Sequence, residues 1–182
     1  PPIYIAAMNK LMLRLAGSHC DGVHIHALHS VKYLEEVAMP ELAVGWQRGE
    51  REREDFSVST AVFALPTDDA DYAAWAEHHI CQQISFYLST PAYRVIAELH
   101  GWQEDARRLS EAARSGEWEK MPGMVNDQMM DTFVVTGTWA DLPGKVKAKY
   151  GRLLDRVSYY LPYIPGENEE GWRTTVRGFA GE

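Results

Sequence analysis

Two histidines one residue apart, His24 and His26, end the short segment Val23-His24-Ile25-His26. In an extended chain alternate side chains share a face, so both imidazoles project the same way. A neutral imidazole serves as a metal ligand, as an acid–base group or as the wall of a pocket. As ligands the pair needs further partners, drawn from His29, His78, His79, His100 or an aspartate, and none of these repeats a metal spacing. Otherwise His24 packs and hydrogen-bonds inside the fold and His26 lines a pocket. A second constellation is Ala6-Ala7-Met8-Asn9-Lys10. Small residues at a strand end let backbone approach a ligand closely. A helix beginning near Asn9 presents unpaired N–H groups and its positive dipole end, and Lys10 adds a point charge. That is a phosphate site by physics, although no Walker or Rossmann glycine pattern accompanies it. Tyr93 and Arg94 follow a helix break, where Arg94 either meets an anion or forms a structural ion pair. Tyr159 and Tyr160 face opposite ways, so one of them is free to reach a pocket. No Gly-x-Ser-x-Gly elbow occurs, and no hydrolytic triad is visible.

The elements that position these residues follow from apolar spacing. Pro2 to His26 reads as strand, short helix, strand. Ile3 to Ala7 is a near-continuous apolar run of the kind a strand buried on both faces needs. Asn9 is the expected cap of a helix carrying Leu11, Met12, Leu15 and Ala16. Gly17 stands where a helix end favours a left-handed residue, and Asp21-Gly22 turns the chain. Two strands joined by a helix within about 25 residues form a parallel pair with a right-handed crossover. Ligands of such units gather at the C-terminal strand ends.

Ser30 caps an expected helix to about Arg48, kinked at Pro40. Glu50 to Asp55 is a solvated charge run. Phe56 to Leu65 is the longest strand candidate, with Phe56, Val58, Thr60, Val62 and Ala64 on one face and Ala61, Phe63 and Leu65 continuing the other near its end, and Pro66 ends it. Thr67 and the aspartates after it start a helix with Tyr72, Trp75, Ala76, His79, Ile80, Gln83 and Tyr87 on its stripe. Ser89-Thr90-Pro91 breaks it before a helix over 92–99. A polar stretch follows, with helices expected over Gln103–Arg114 and Asn126–Phe133. Val134 to Thr138 reads as a turn into a helix capped by Thr138 and Asp141. Arg156 to Leu161 is the fourth strand, and a last helix is expected around 171–177. Strand-then-helix recurs four times, which is α/β architecture with parallel strands. Four such units are half of an eight-stranded barrel, an open doubly wound sheet, or a half-barrel completed by a second copy.

The chain has 182 residues, 46% hydrophobic and 24% charged, with a net charge of −8. That suffices for one domain with a real core and argues against a nucleic-acid surface. No apolar run approaches a membrane span, no signal peptide is visible, and Cys20 and Cys81 read as free thiols of a cytoplasmic protein. The chain opens Pro-Pro and enters a strand by residue 3, an abrupt start expected of part of a longer polypeptide.

PPIYIAAMNKLMLRLAGSHCDGVHIH resembles the fifth-to-sixth-strand segment of the luciferase-like monooxygenase superfamily. Near the end, MMDTFVVTGTWADLPGKVKAKYGRLLDRVSYYLPY is similar to the superfamily's Gly-Thr-Pro-Glu-Glu-Val helix and eighth strand, with departures at Trp139 and Pro143-Gly144. QISFYLSTPAYRVIAELHGW resembles a subgroup of deazaflavin (coenzyme F420)-dependent oxidoreductases. The resemblance implies a (β/α)8 TIM barrel in which residues 1–182 form the C-terminal half, with a helical insertion near 91–133. It implies hydride transfer between reduced F420, or FMN in sister families, and a small organic substrate. It places the cofactor phosphate at Ala7, Met8, Asn9, Lys10 and Leu11 and the substrate at His26 and His29. No catalytic residue and no metal site is assigned, and dimers are common among the relatives. Two rival readings stand beside this one: a metal-dependent barrel hydrolase using His24 and His26, and a binding module without chemistry.

Overall fold

A computed structural model describes residues 1–181. Strand β1 (Tyr4–Ala7), helix α1 (Lys10–His19) and strand β2 (Gly22–Ile25) form the first crossover, and the strands pair in parallel from Tyr4↔Gly22 to Ala7↔Ile25. The Asp21-Gly22 turn is pinned by the Asp21 carboxylate, which accepts from the Ile3 amide at 2.6 Å. Helices α2 (Val31–Tyr33) and α3 (Met39–Arg48) are joined by one π turn over Leu34–Ala38. Pro40 explains that turn. It has no N–H, and its ring crowds the carbonyl four residues back, so the ladder shifts to a five-residue bond from Met39 N–H to Leu34 O.

Gly17 does not end α1. The helix runs two residues further, and a Cβ at Gly17 would lie 2.6 Å from the Leu42 carbonyl of α3. The glycine serves helix–helix approach, not a left-handed turn.

Strand β3 (Ser57–Pro66) is the axis of the sheet. Thr60 pairs with Ile25 of β2 on one edge and with Val157 of strand β5 (Arg156–Tyr159) on the other. Every pairing is parallel, and β1, β2, β3 and β5 add in chain order with no reversal. That is the arc of a β/α barrel, not the doubly wound sheet, whose order reverses at a switch point. Helix α4 (Ala70–Leu88) follows β3, capped by the Asp69 side chain, which accepts from Tyr72 N–H. A single 3₁₀ turn (Pro91–Tyr93) leads to α5 (Arg94–His100), then α6 (Gln103–Arg114) and α7 (Asp127–Phe133).

Val134–Gly137, expected as a turn, is strand β4, paired with the last residues of β3 from Phe63↔Val134 to Pro66↔Gly137. The Lys149 ammonium of helix α8 (Leu142–Tyr150) fixes its start, donating to Thr132 O at 3.0 Å and Val134 O at 3.1 Å. Thr138 accepts from Asp141 N–H at 3.1 Å, which is half of the expected capping box. Helix α9 (Glu169–Ala180) is longer than the expected 171–177.

The two faces of the sheet differ. Val23, Ile25, Val58 and Val62 are fully buried in the core with Leu13, Tyr33, Leu34 and Ile80. On the other face Tyr4, Ala6, His24, Arg156 and Ser158 are exposed. The expectation that β1 is buried on both faces therefore fails: its apolar run is covered on one side only. No helix is long and apolar enough to cross a membrane among the described residues.

Candidate functional site

The C-terminal ends of β1, β2, β3 and β5 lie together, and a histidine and three tyrosines meet there. His26 directly follows β2. Its ring centroid lies 4.3 Å from that of Tyr87 on α4, 4.8 Å from Tyr93 and 6.3 Å from Tyr160, the residue after β5. The Tyr87 and Tyr160 hydroxyls are 2.6 Å apart. Phe63 of β3 meets the Tyr160 ring edge-on at 5.3 Å. Five separate segments thus build one aromatic wall, and a cavity of about 380 Å³ opens beside it along Tyr160, Gln83 and His79.

The protonation of His26 follows from its contacts. Leu28 N–H donates to Nδ1 at 3.1 Å, so Nδ1 carries a lone pair. Burial, and then the charge of His24, lower its pKa to about 4. At neutral pH the ring is uncharged with its proton on Nε2. Burial first, and next the Tyr160 hydroxyl, push the Tyr87 phenol well above its usual range. The wall is therefore a neutral hydrogen-bonding surface, suited to an uncharged polar group and not to an ion.

His29 is separated from that wall. It is 1% exposed, with Nδ1 3.0 Å from the His26 carbonyl and 3.3 Å from Thr60 Oγ1. Its ring lies against buried Tyr150. Of the two histidines expected at a substrate, only His26 is open to solvent; His29 holds the loop that carries it. Burial lowers the His29 pKa to about 4 as well.

His24 follows the packed reading in part. Its Nδ1 is 3.0 Å from Ser59 Oγ, whose proton goes to Val23 O at 2.8 Å. Among the described residues no three His, Cys, Asp or Glu side chains converge on a point, so the metal reading finds no further ligands. Of the tyrosines singled out in the sequence, Tyr93 and Tyr160 reach the wall, while Tyr159 bonds Thr175 at 2.8 Å and borders the adjoining cavity. Tyr87 was hidden in an apolar helical stripe. The only signal was its hydroxyl, which a residue packed wholly in a core would have to bury.

At the end of β1, Ala7 is buried, Met8 is half-buried, and Asn9, Lys10 and Leu11 are exposed. Buried Tyr33 donates its hydroxyl to Met8 O at 2.5 Å, fixing the turn from below. The first helical bond of α1 is Leu13 N–H to Asn9 O at 3.0 Å, and the Asn9 side chain makes no capping bond. The amides of Lys10, Leu11 and Met12 are thus left for another acceptor. The expected side-chain cap does not form; the backbone of Asn9 alone occupies the cap position. Lys10 is turned toward Glu41, 3.3 Å away, which also accepts from Arg14 Nε at 2.5 Å. The Arg14 hydrogen bond holds the Glu41 carboxyl below its ordinary range.

Residues 1–156 match the family model described as luciferase-like monooxygenase. The chain belongs to that family. An uncharacterized protein of Mycobacterium tuberculosis is 36% identical over 180 residues, 98% of this chain and 52% of its own length. The 5,10-methylenetetrahydromethanopterin reductase of Methanolobus tindarius is 32% identical over 157 residues, 85% of this chain and 45% of its own. Among solved structures, the coenzyme F420-dependent tetrahydromethanopterin reductase of Methanopyrus kandleri superposes with a TM-score of 0.74 at 22% identity, covering 97% of this chain and 49% of that one. The chain spans about half the length of the curated relatives it matches. In this luciferase-like chain, half a β/α barrel accounts for the four β/α units and for the open, polar sheet face.

Proposed function

We propose that this luciferase-like chain forms the C-terminal half of an F420-dependent oxidoreductase, holding the cofactor phosphate at the β1–α1 turn and a small, uncharged polar substrate at His26. The observation that carries the reading is the placement of two complementary surfaces at one end of a parallel sheet. One is the set of free amides at Lys10, Leu11 and Met12, the other the neutral wall of His26, Tyr87, Tyr93 and Tyr160. The likeness to the coenzyme F420-dependent reductase of Methanopyrus kandleri supports F420 as the cofactor.

The residues at the turn fit a phosphate. Three backbone donors and the uncommitted Asn9 amide face outward from a ten-residue helix, whose positive end favours an anion. Ala7 keeps side-chain bulk away, and Leu11 offers an apolar flank. A bound deazaflavin supplies hydride chemistry, which no side chain provides. The protein's part is orientation and exclusion of water. His26 offers a fixed N–H at Nε2, aimed by the Leu28 amide, and His29 acts through its bond to the His26 carbonyl.

The test is a fluorescence titration of the protein, purified from its source at native length, with F420 and with FMN. Saturable F420 binding, with oxidation of the reduced cofactor by a ketone series or reduction of the oxidised cofactor by an alcohol series, is the expected result. Failure to bind either cofactor overturns the reading in favour of a binding module without redox chemistry.

A further inference from the structure

We propose that the cleft between α5 and α6 is a binding site for a small oligoanion, a molecule with several carboxylates or with phosphate groups, held between Arg94 and Arg114. The two helices form an antiparallel hairpin closed by Gly101, whose φ of 77° reverses the chain. A cavity of about 410 Å³ opens between them, lined in part by Thr90, Arg94, Glu98, Gln103, Arg107 and Arg114. Its size is that of a small-molecule site.

The arrangement of charge is what points to a ligand. On α6, Arg107, Ser110 and Arg114 recur at helical spacing and line the cleft from one face. Ser110 donates to Ser89 O at 2.5 Å, which sets that face against the segment entering α5. Arg94, at the start of α5, then stands opposite the stripe. Arg107 is neutralised, donating from Nε to Glu104 at 2.8 Å and from a terminal nitrogen to Glu111. Arg94 and Arg114 have no carboxylate within ion-pair distance among the described residues. Glu98 is the single acidic side chain in the lining.

The protein carries a net charge of −8, yet two guanidiniums without an ion-pair partner line one cavity with a single carboxylate, Glu98. Guanidinium geometry matches carboxylate and phosphate oxygens in pairs of hydrogen bonds. The hydroxyl protons of Thr90 and Ser110 are committed to backbone carbonyls. The donors left for an anion are therefore Arg94, Arg114 and the Gln103 amide. This cleft shares no residue with the His26 wall, although Tyr93 of that wall directly precedes Arg94. The inference does not depend on which cofactor the protein binds.

The experiment is isothermal titration of the intact protein with citrate and, separately, with pyrophosphate. At least one probe is expected to bind saturably at one site, with affinity falling as salt is raised. Tighter citrate binding assigns a polycarboxylate, and tighter pyrophosphate binding a phosphate compound. Arg94→Gln and Arg114→Gln, both at exposed positions, should each weaken binding about tenfold, the loss of a charge-assisted hydrogen bond. Arg108→Gln, on α6 but outside the cleft, should bind as the parent does, and circular dichroism checks that each variant is folded. Absence of saturable binding by both probes, or unchanged affinity in folded Arg94→Gln and Arg114→Gln, overturns the proposal.

Discussion

The hydroxyl of Tyr87 lies 2.6 Å from the hydroxyl of Tyr160, tying the last turn of α4 to the residue that follows β5. The bond joins positions 73 residues apart. It closes the neutral wall around His26 from the side opposite β2.

Removing either hydroxyl leaves the other half-buried and unpartnered. Tyr87→Phe and Tyr160→Phe should each destabilise the fold by about 1 kcal/mol. The double variant should cost less than the sum, because the second change removes a group already unpaired. Urea unfolding of the three variants measures this, and strict additivity would show that the pair does not interact.

Acid should weaken the fold through His26 and His29. Both stay neutral in the folded protein down to a pKa of about 4, against an ordinary value of 6.5. Their contribution is complete above pH 6.5. It is lost as pH falls from 6.5 to 4, where the unfolded chain binds protons that the folded one refuses. His29→Gln should flatten the pH dependence of stability in that window while lowering stability at pH 7. Urea midpoints at pH 7 and pH 4.5 test this, and an unchanged slope would place the titration elsewhere.

Gly17→Ala should be destabilising by roughly 1–3 kcal/mol, the usual range for overpacking, despite alanine's higher helix propensity. The new Cβ meets the Leu42 carbonyl at 2.6 Å and the Gly45 Cα at 3.1 Å, both backbone atoms that cannot rotate away. Thermal denaturation decides it. A stabilised variant would mean that α1 and α3 separate at little cost.

Asn9→Ala together with Lys10→Ala should weaken F420 binding with little change in stability, since both residues are exposed and Glu41 keeps Arg14. A drop of about tenfold corresponds to one charge-assisted contact. Unchanged affinity would remove the phosphate from this turn.

The elements that the sequence displays are those whose apolar spacing is set locally. The β1–α1–β2 unit shows itself through Ile3 to Ala7 and Asp21-Gly22, but the apolar stripe expected on α1 faces outward except at Ala16: Leu11, Met12 and Leu15 are exposed, and Leu13, Ala16 and Gly17 are buried. Strand β3 shows itself through the face of Val58, Thr60, Val62 and Ala64. The parts that stay hidden depend on distant partners. Val134–Gly137 is too short to be distinguished from a turn until Phe63 to Pro66 pair with it. Gly17 looks like a helix end because the α3 backbone against it is invisible in one dimension. Within the site, His26 is legible from its place after β2. His29 shares its type and neighbourhood, yet only the fold shows that Thr60 and Tyr150 enclose it. Tyr87 is indistinguishable from its core neighbours on α4.

The central claim, that the β1–α1 turn holds the cofactor phosphate beside the His26 wall, is tested most directly by a crystal structure of the native-length protein with F420 bound. The account predicts phosphate oxygens within hydrogen-bond distance of the Lys10, Leu11 and Met12 amides, with the substrate space bounded by His26, Tyr93 and Tyr160. A phosphate bound elsewhere on the protein, with those three amides meeting only water, would contradict it.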